Sequence, residues 1–517
     1  MKKILLIFTA ALFCISNAWA VETWDGTSSS AWTNGEGTES NPYLIETPAQ
    51  LKYLSNQVKE GTLYTGKCFL QTQDFDLNSK DWSSIGTSTY KFEGKYNGGD
   101  KYVSNFTNSL FGYTNNATIE NLSIRGNVSC SSSQPSILIS EASGATILTN
   151  CHNFATVSFY SSENKNSAGF VAKVVGTSLI MNNCSNEGII NQTGYSKAGS
   201  LGGLIGKLEA NATIRDCSNK GSLTISSTTT TEEAFLGGIV GFISYANVSF
   251  NRCYNTAELA LSLTYSSMNS LEYIHTYVGG ICGRTTISEQ YTIRYVHCSN
   301  VGRIESKALS AGGYSSHSGY WAYAYGLGTG SSQIGCYVRA SCSVYAYGNG
   351  GVTGVSAFGA SEVESCYYVG GTASIQGSNV YHNIPSASTG IYKSEMAFKA
   401  PSMIPLLNSV GEYFTMDLEG INDGYPIFAY QVGQRHTITA TCDANRGSVS
   451  GGGEFPNGYV ATLTATPKSG CTFIGWSDGN TDNPRSVTVA GNATYTAQFT
   501  KSSYTIYVNQ DCTSNIE

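Results

Sequence analysis

Charge is scarce in this sequence. Lys, Arg, Asp and Glu make up 13% of its 517 residues, about half of the usual ~25%. A long coiled coil needs charged heptads, and a disordered chain combines high charge with low hydrophobicity. With hydrophobic residues at 41%, neither fits. Proline is also rare, at 10 residues beside 57 glycines, which excludes a collagen repeat. No basic run occurs and the net charge is −7, so nucleic acid and anionic membrane surfaces are poor partners. Past the first twenty residues, no apolar run reaches the ~20 residues of a transmembrane helix. What is abundant is Gly, Ser, Thr, Asn and 34 Tyr, the composition of a β protein with ample core material.

Catalytic motifs are equally sparse. The six His form no His-Glu-x-x-His, and there is no Cys-x-x-Cys. Between residues 140 and 380 there is one Asp, Asp216, and twelve Glu, with Glu232-Glu233 and Glu362/Glu364 the only close pairs. Glycoside hydrolysis needs paired carboxylates. A Ca²⁺-assisted lyase needs an acidic cluster and a Lys or Arg base. That span offers little to either. Asp74, Asp76, Asp81 and Asp100 are denser and read as turn carboxylates. His152 and His297 adjoin Cys151 and Cys298, but neighbouring strand residues point to opposite faces. No catalytic residue, metal site or cofactor is expected.

Residues 1–20 have Lys2-Lys3, an apolar run and Ala18-Trp19-Ala20. This is the pattern of a signal peptide cleaved after Ala20. It predicts an exported protein at the cell surface or outside the cell, with the periplasm as a further destination.

A repeat organises the middle of the chain. Cys151, Cys184, Cys217, Cys253, Cys298, Cys336 and Cys366 are spaced by 33, 33, 36, 45, 38 and 30 residues. Asn153, Asn186, Asn219, Asn255 and Asn300 lie two residues after the first five, and Gly or Ala lies four after all seven. Upstream of these cysteines stand glycine-flanked apolar pairs. The clearest are Gly202-Gly203-Leu204-Ile205-Gly206, Gly237-Gly238-Ile239-Val240-Gly241 and Gly279-Gly280-Ile281-Cys282-Gly283. The segments between alternate with period two and are too short for helices. Such units cannot bury their own apolar faces and must stack.

The expected fold is all-β: a right-handed parallel β-helix with a short capping helix, followed by a small β-sheet module. Each unit reads as an apolar strand, an alternating strand ending at Cys, an Asn turn and a third strand. The cysteines are expected as an inward ladder of buried free thiols, with disulfides between coils as the alternative. The asparagines are expected as a corner ladder bonding coil to coil. Glycine at the next corner would serve positive φ or close backbone approach. Extra length belongs in protruding loops at 226–233 and 262–273. Thr47-Pro48-Ala49-Gln50 is a helix-start signal, so a helix over about 48–59 would cover the first coil. Residues 391–409 would close the far end.

The glycine-flanked apolar pair followed by Asn-Cys-Ser-Asn-x-Gly resembles the GLUG-motif repeats of bacterial surface proteins, over about residues 140–380. Gly35-x-Gly37-Thr38, Asn41-Pro42-Tyr43-Leu44-Ile45 and Gln50-Leu51 resemble that family's lead-in segment, and Asp423-Gly424-Tyr425-Pro426 its exit. From His436 the pattern changes. Ala465-Thr466-Pro467, Phe473-Ile474-Gly475-Trp476 and Ala497-Gln498-Phe499 resemble a divergent internalin B-repeat, a bacterial β module, with Trp476 in its core. Tyr504-Thr505-Ile506 restarts the pattern of His436-Thr437-Ile438. The expected organisation is therefore a signal peptide (1–20), a cap with irregular coils (21–139), GLUG-like repeats (140–380), a closure (381–434), the B-repeat-like module (435–500) and the start of a second copy (501–517).

The repeat resemblance implies a non-enzymatic, adhesin-like cell-surface protein that binds glycan or host protein, or acts as a display stalk. Two alternatives stand beside it, a carbohydrate-active β-helix enzyme (lyase or hydrolase) and a purely structural spacer. The candidate ligand-binding residues are aromatic. Trp321, Tyr323 and Tyr325 share one strand face, and Tyr345 and Tyr347 are read as the same pattern one unit later. The competing reading is a ring stack that fills one wall of the solenoid.

Overall fold

The computed structural model describes residues 21–501 except 131–133, 162–165, 197–198, 230–231, 266–273, 287, 289, 311–319, 335, 340–341, 347–351, 357–358, 365, 370–373, 377–390, 411–413, 418–421, 423–424, 429–434, 457–459 and 490. The expected signal peptide (1–20), Tyr347, Asp423-Gly424 and the expected start of a second module copy from 502 onward lie outside the described residues. The chain divides into two compact units, residues 1–413 and 414–517.

The first unit is a parallel β-helix. One coil contains the strands Glu232–Gly237, Val240–Ser244, Val248–Asn251, Tyr254–Asn255 and Leu259–Tyr265. Each pairs in parallel with its counterpart on the next coil, as Phe235 with Tyr277, Val240 with Cys282, Val248 with Ile293, Asn255 with Asn300 and Leu259 with Ile304. Residues of the inward parity, such as Leu236, Val240, Phe250, Leu259 and Leu261, are fully buried in one continuous core. Each coil thus supplies the apolar partner that its neighbours need.

Two expectations about the coil change. The glycine-flanked apolar pair is not one strand but a corner between two strands. A Cβ on Gly202 would sit 1.9 Å from the Ile205 carbonyl oxygen, and one on Gly203 would sit 2.2 Å from that of Gly238. Close backbone approach, not positive φ, is what these glycines provide. The expected loops begin as strand: residues 226–229 and 262–265 extend Leu223–Thr229 and Leu259–Tyr265, while 230–231 and 266–273 lie outside the described residues. Leu261 and Leu263 point inward there and Ser262 outward, so the alternation simply runs on.

The helix α1, Pro48–Lys59, closes the first coil. Thr47 Oγ1 accepts the Gln50 amide at 3.3 Å, Gln50 Oε1 accepts the Thr47 amide at 3.2 Å, and Leu51, Leu54 and Val58 are fully buried. Toward the other end, α2 (Glu395–Phe398) brings Phe398 against the Tyr337 ring at 5.4 Å, and α3 (Met403–Leu407) buries Met403 and Leu407. Met396 and Leu406, expected in the same closure, remain exposed.

In the second unit, a four-stranded sheet orders Gly453–Pro456, Arg435–Cys442, Ala493–Lys501 and Cys471–Trp476. A three-stranded sheet orders Gly447–Ser450, Val460–Pro467 and Arg485–Thr488. Ile438, Leu463, Val487 and Phe499 form their core with Trp476, which is 1% exposed and donates Nε1 to the Asp482 carbonyl. Phe414–Thr415 pairs antiparallel with Ile427–Phe428 in the same unit.

Candidate functional site

The repeat places its polar residues in columns. Asn153, Asn186, Asn219, Asn255 and Asn300 stand in register on successive coils. Each of the first four donates its Nδ2 to the Oδ1 of the next, at 2.6, 2.7, 2.7 and 2.7 Å. All five are buried. Cys151, Cys184, Cys217, Cys253, Cys298, Cys336 and Cys366 are also buried, as free thiols. They donate to main-chain carbonyls; Cys217 Sγ, for example, lies 3.1 Å from the Arg215 oxygen. Burial pushes the Cys184, Cys253 and Cys336 thiols well above their ordinary range and raises that of Cys217, so these four remain protonated.

A further column was not singled out from the sequence. The residue before each of the first five ladder cysteines turns the corner in the left-handed region: Asn150, Asn183, Asp216, Arg252 and His297, with φ from 49° to 55°. Asn, Asp and His adopt this conformation more readily than other non-glycine residues, whereas Arg rarely does. Asn150 Nδ2 donates to Asn121 Oδ1 at 3.0 Å, Asn183 donates to Asn150, and Arg252 grips Asp216 with two hydrogen bonds. The signal was present as an Asn-Cys pair that recurs only twice in the repeats, too seldom to read as a column. His297 is spent on this corner, and His152 Nδ1 lies 2.9 Å from Ser185 Oγ.

The aromatic candidates are only partly brought together. Trp321, Tyr323 and Tyr325 lie on the strand Tyr320–Tyr325, while Ala322 and Ala324 between them point into the core. The outward column through Tyr323 runs backward, to Tyr277 and Phe235 on the two preceding coils. Tyr345 does not continue it. That residue lies on Cys342–Ala346, a strand of another face, where its register partner is Lys307. The coil returns at Gly354, which pairs with Tyr323. The coil here is 31 residues long, so Tyr345 falls short of a full turn.

The rings stack on one another. Tyr277 and Tyr323 are parallel at 4.9 Å, and Phe235 stacks on Phe242 at 4.7 Å across the glycine corner. The Arg284 guanidinium lies 4.1 Å from the Tyr277 ring centre and 5.7 Å from that of Phe235. Phe235 and Tyr277 are each only 9% exposed. Among the described residues, Tyr323 ends the column of rings, because its register partner Gly354 has no side chain to extend it.

Charged groups edge this stack. Arg284 Nη1 bonds Glu233 Oε1 at 2.9 Å, His275 Nδ1 lies 2.9 Å from the Tyr277 hydroxyl, and 3.6 Å separates His275 from Glu233. Burial lowers the His275 pKa against the pull of Glu233, and it raises the Tyr277 pKa despite Arg284. At neutral pH His275 is therefore uncharged and the Tyr277 hydroxyl keeps its proton. On the adjoining strand face, Lys207 lies over the Phe242 ring at 5.5 Å and pairs with Glu209 at 2.6 Å.

Elsewhere, a shallow groove of about 450 Å³ crosses four coils, lined by Ile180, Thr213, Ser249, Arg294, Asn211 and Asn247. Its asparagines are engaged, since Asn211 and Asn247 accept the amides of Asn247 and Thr292. The acidic residues near the start are turn carboxylates: Asp76 holds Asn78 and Asn105, and Asp74 holds the Tyr102 amide. Among the described residues, no group of three His, Cys, Asp or Glu could hold a metal ion, and no helix is long and apolar enough to cross a membrane.

The architecture is that of a parallel β-helix protein carrying a two-sheet repeat module. Residues 436–503 match the divergent InlB B-repeat domain family. Over 144 residues, 24% of the chain, the sequence is 35% identical to a protein of Evansella cellulosilytica that carries the name Gly-rich membrane protein. Over 215 residues, 40% of the chain, it is 27% identical to an immunoglobulin A1 protease of Streptococcus pneumoniae. These matches span 16% and 11% of the two relatives, so the chain corresponds to less than a fifth of either. A crystal structure of a Bacteroides ovatus protein described as an immunoglobulin A1 protease covers 77% of this chain and 94% of its own, at 15% identity and a TM-score of 0.38.

Proposed function

We propose that this is an exported, cell-surface repeat protein whose GLUG-like solenoid binds glycan without catalysing a reaction. The observation that carries the reading is the end of the ring column. Tyr323 rests one face on Tyr277, and its neighbour on the next coil is Gly354, which leaves the column one ring short. A sugar ring stacked on Tyr323 would occupy that position at about the ~4.8 Å coil rise. Tyr325 and Trp321 flank it on the same strand. The B-repeat module then serves as a spacer or a second binding unit.

A glycan array probed with the full chain tests this. Binding to at least one glycan is expected, and it should be lost in Tyr323→Ala. No binding to any glycan would contradict the proposal and favour a pure spacer. Release of reducing ends from a bound polysaccharide would contradict the non-enzymatic part.

A further inference from the structure

The glycine corner makes two strand faces look toward each other, and the outward residues of one differ in kind from those of the other. One wall is the column Ser200, Phe235, Tyr277, Tyr323. The other is Lys173, Lys207, Phe242, Arg284, also in register coil by coil. Ring and cation meet across the corner, as Phe235 stacks on Phe242 and Arg284 lies on Tyr277. The second wall therefore presents cations at Lys207 and Arg284 with an apolar ring between them. The two cations are two coil rises apart, ~10 Å at ~4.8 Å per coil.

Each cation is held by packing against rings and is paired on its outer side with a carboxylate. Lys207 lies over Phe242, and Arg284 is clamped between Tyr277 and Phe235. Their carboxylate partners are the more exposed members. The Glu233 side chain is 41% exposed against 29% for Arg284, and Glu209 is 30% exposed against 24% for Lys207. Surface pairs of this kind contribute little on their own. A ligand carboxylate can replace Glu233 or Glu209 while the cation keeps its place on the rings.

We infer that this corner binds an extended acidic polysaccharide lying along the solenoid axis, with a carboxylate on every second sugar. Two successive carboxylates would meet Lys207 and Arg284, and the neutral sugar between them would cross Phe242. The carboxylates give charge complementarity that a neutral glycan lacks. The facing wall of the same corner runs on to Tyr323, so this inference rests on the glycan-binding reading above and specifies its ligand.

The test compares hyaluronan, which alternates acidic and neutral sugars, with the same polymer after carboxyl reduction, both titrated onto the full chain. Hyaluronan should bind more tightly, and its affinity should fall as salt rises. Arg284→Gln and Lys207→Gln should each weaken it about tenfold, the usual worth of a hydrogen bond to a charged group. Glu233→Gln should tighten it, because a competing carboxylate is gone. That variant guards against misfolding as an explanation, since a damaged protein does not gain affinity. Equal binding of both polymers, or no gain in Glu233→Gln, would overturn the acidic-ligand inference and leave glycan binding standing. Failure of hyaluronan alone, with neutral glycans bound on the array, would do the same. Failure of every glycan would overturn both.

Discussion

Single residues carry this fold mainly through ladders of identical side chains. Asn219 accepts from Asn186 and donates to Asn255, both within a buried column. Asn219→Ala leaves two buried polar groups without their partner, and each such loss costs about 1–3 kcal/mol. A clear fall in the chemical-denaturation midpoint is expected, whereas Thr224→Ala on the outer surface should change it by less than about 0.5 kcal/mol. Protonation supplies a second prediction. Burial holds the pKa values of His152, His275 and His297 below their ordinary 6.5. The folded chain resists a proton that the unfolded chain accepts, so the stabilisation is complete above pH 6.5 and declines as pH drops through the lowered folded values. A thermal midpoint measured from pH 8 to pH 5 should be flat above 6.5 and fall below it, with a shallower fall in His297→Asn. The Asn and Cys columns were legible because the same residue recurs at the same offset. The corner column of Asn150, Asn183, Asp216, Arg252 and His297 was not, because backbone conformation, not residue type, unites its members.

At the scale of strands and turns, glycine decides where the chain can bend sharply. A Cβ at Gly238 would lie 2.1 Å from the Gly280 carbonyl oxygen and 3.0 Å from Asn255, whose side chain is fixed in the buried Asn ladder. Gly238→Ala should therefore destabilise the solenoid by at least about 1–3 kcal/mol, the usual cost of an overpacked site. Circular dichroism melts would register it, and an unchanged melting curve would show that the corner can relax. The glycine-flanked apolar pair was visible in the sequence, but its nature as a corner was not. Period-two patterning continues through a bend whose turning residues are small and apolar on both sides. The same blindness made strands look like loops at 226–229 and 262–265, where Ser and Thr are the outward members of an unbroken alternation. It also linked Tyr345 to Tyr323, because the coil lengths change along the chain and a similar motif need not be a similar place.

For the whole molecule, low charge is a consequence of the architecture. Every coil buries its inward parity, and many outward positions are occupied by Asn, Ser, Thr and stacked rings instead of ions. Fully buried thiols follow from the same packing. Native protein treated with a thiol reagent should leave Cys151, Cys184, Cys217, Cys253, Cys298, Cys336 and Cys366 unlabelled, and denaturation should expose all seven. Labelling of the ladder in the native state would contradict the continuous core. The function reading stands on the smallest part of this assembly, the unfilled position beside Tyr323. The most direct measurement is the affinity of the full chain for a glycan selected on the array, compared among wild type, Tyr323→Ala and Gly354→Phe. A sugar stacked on Tyr323 predicts that both variants lose binding, the first by removing the platform and the second by filling the slot with a ring. Undiminished binding in a folded Gly354→Phe variant would contradict it.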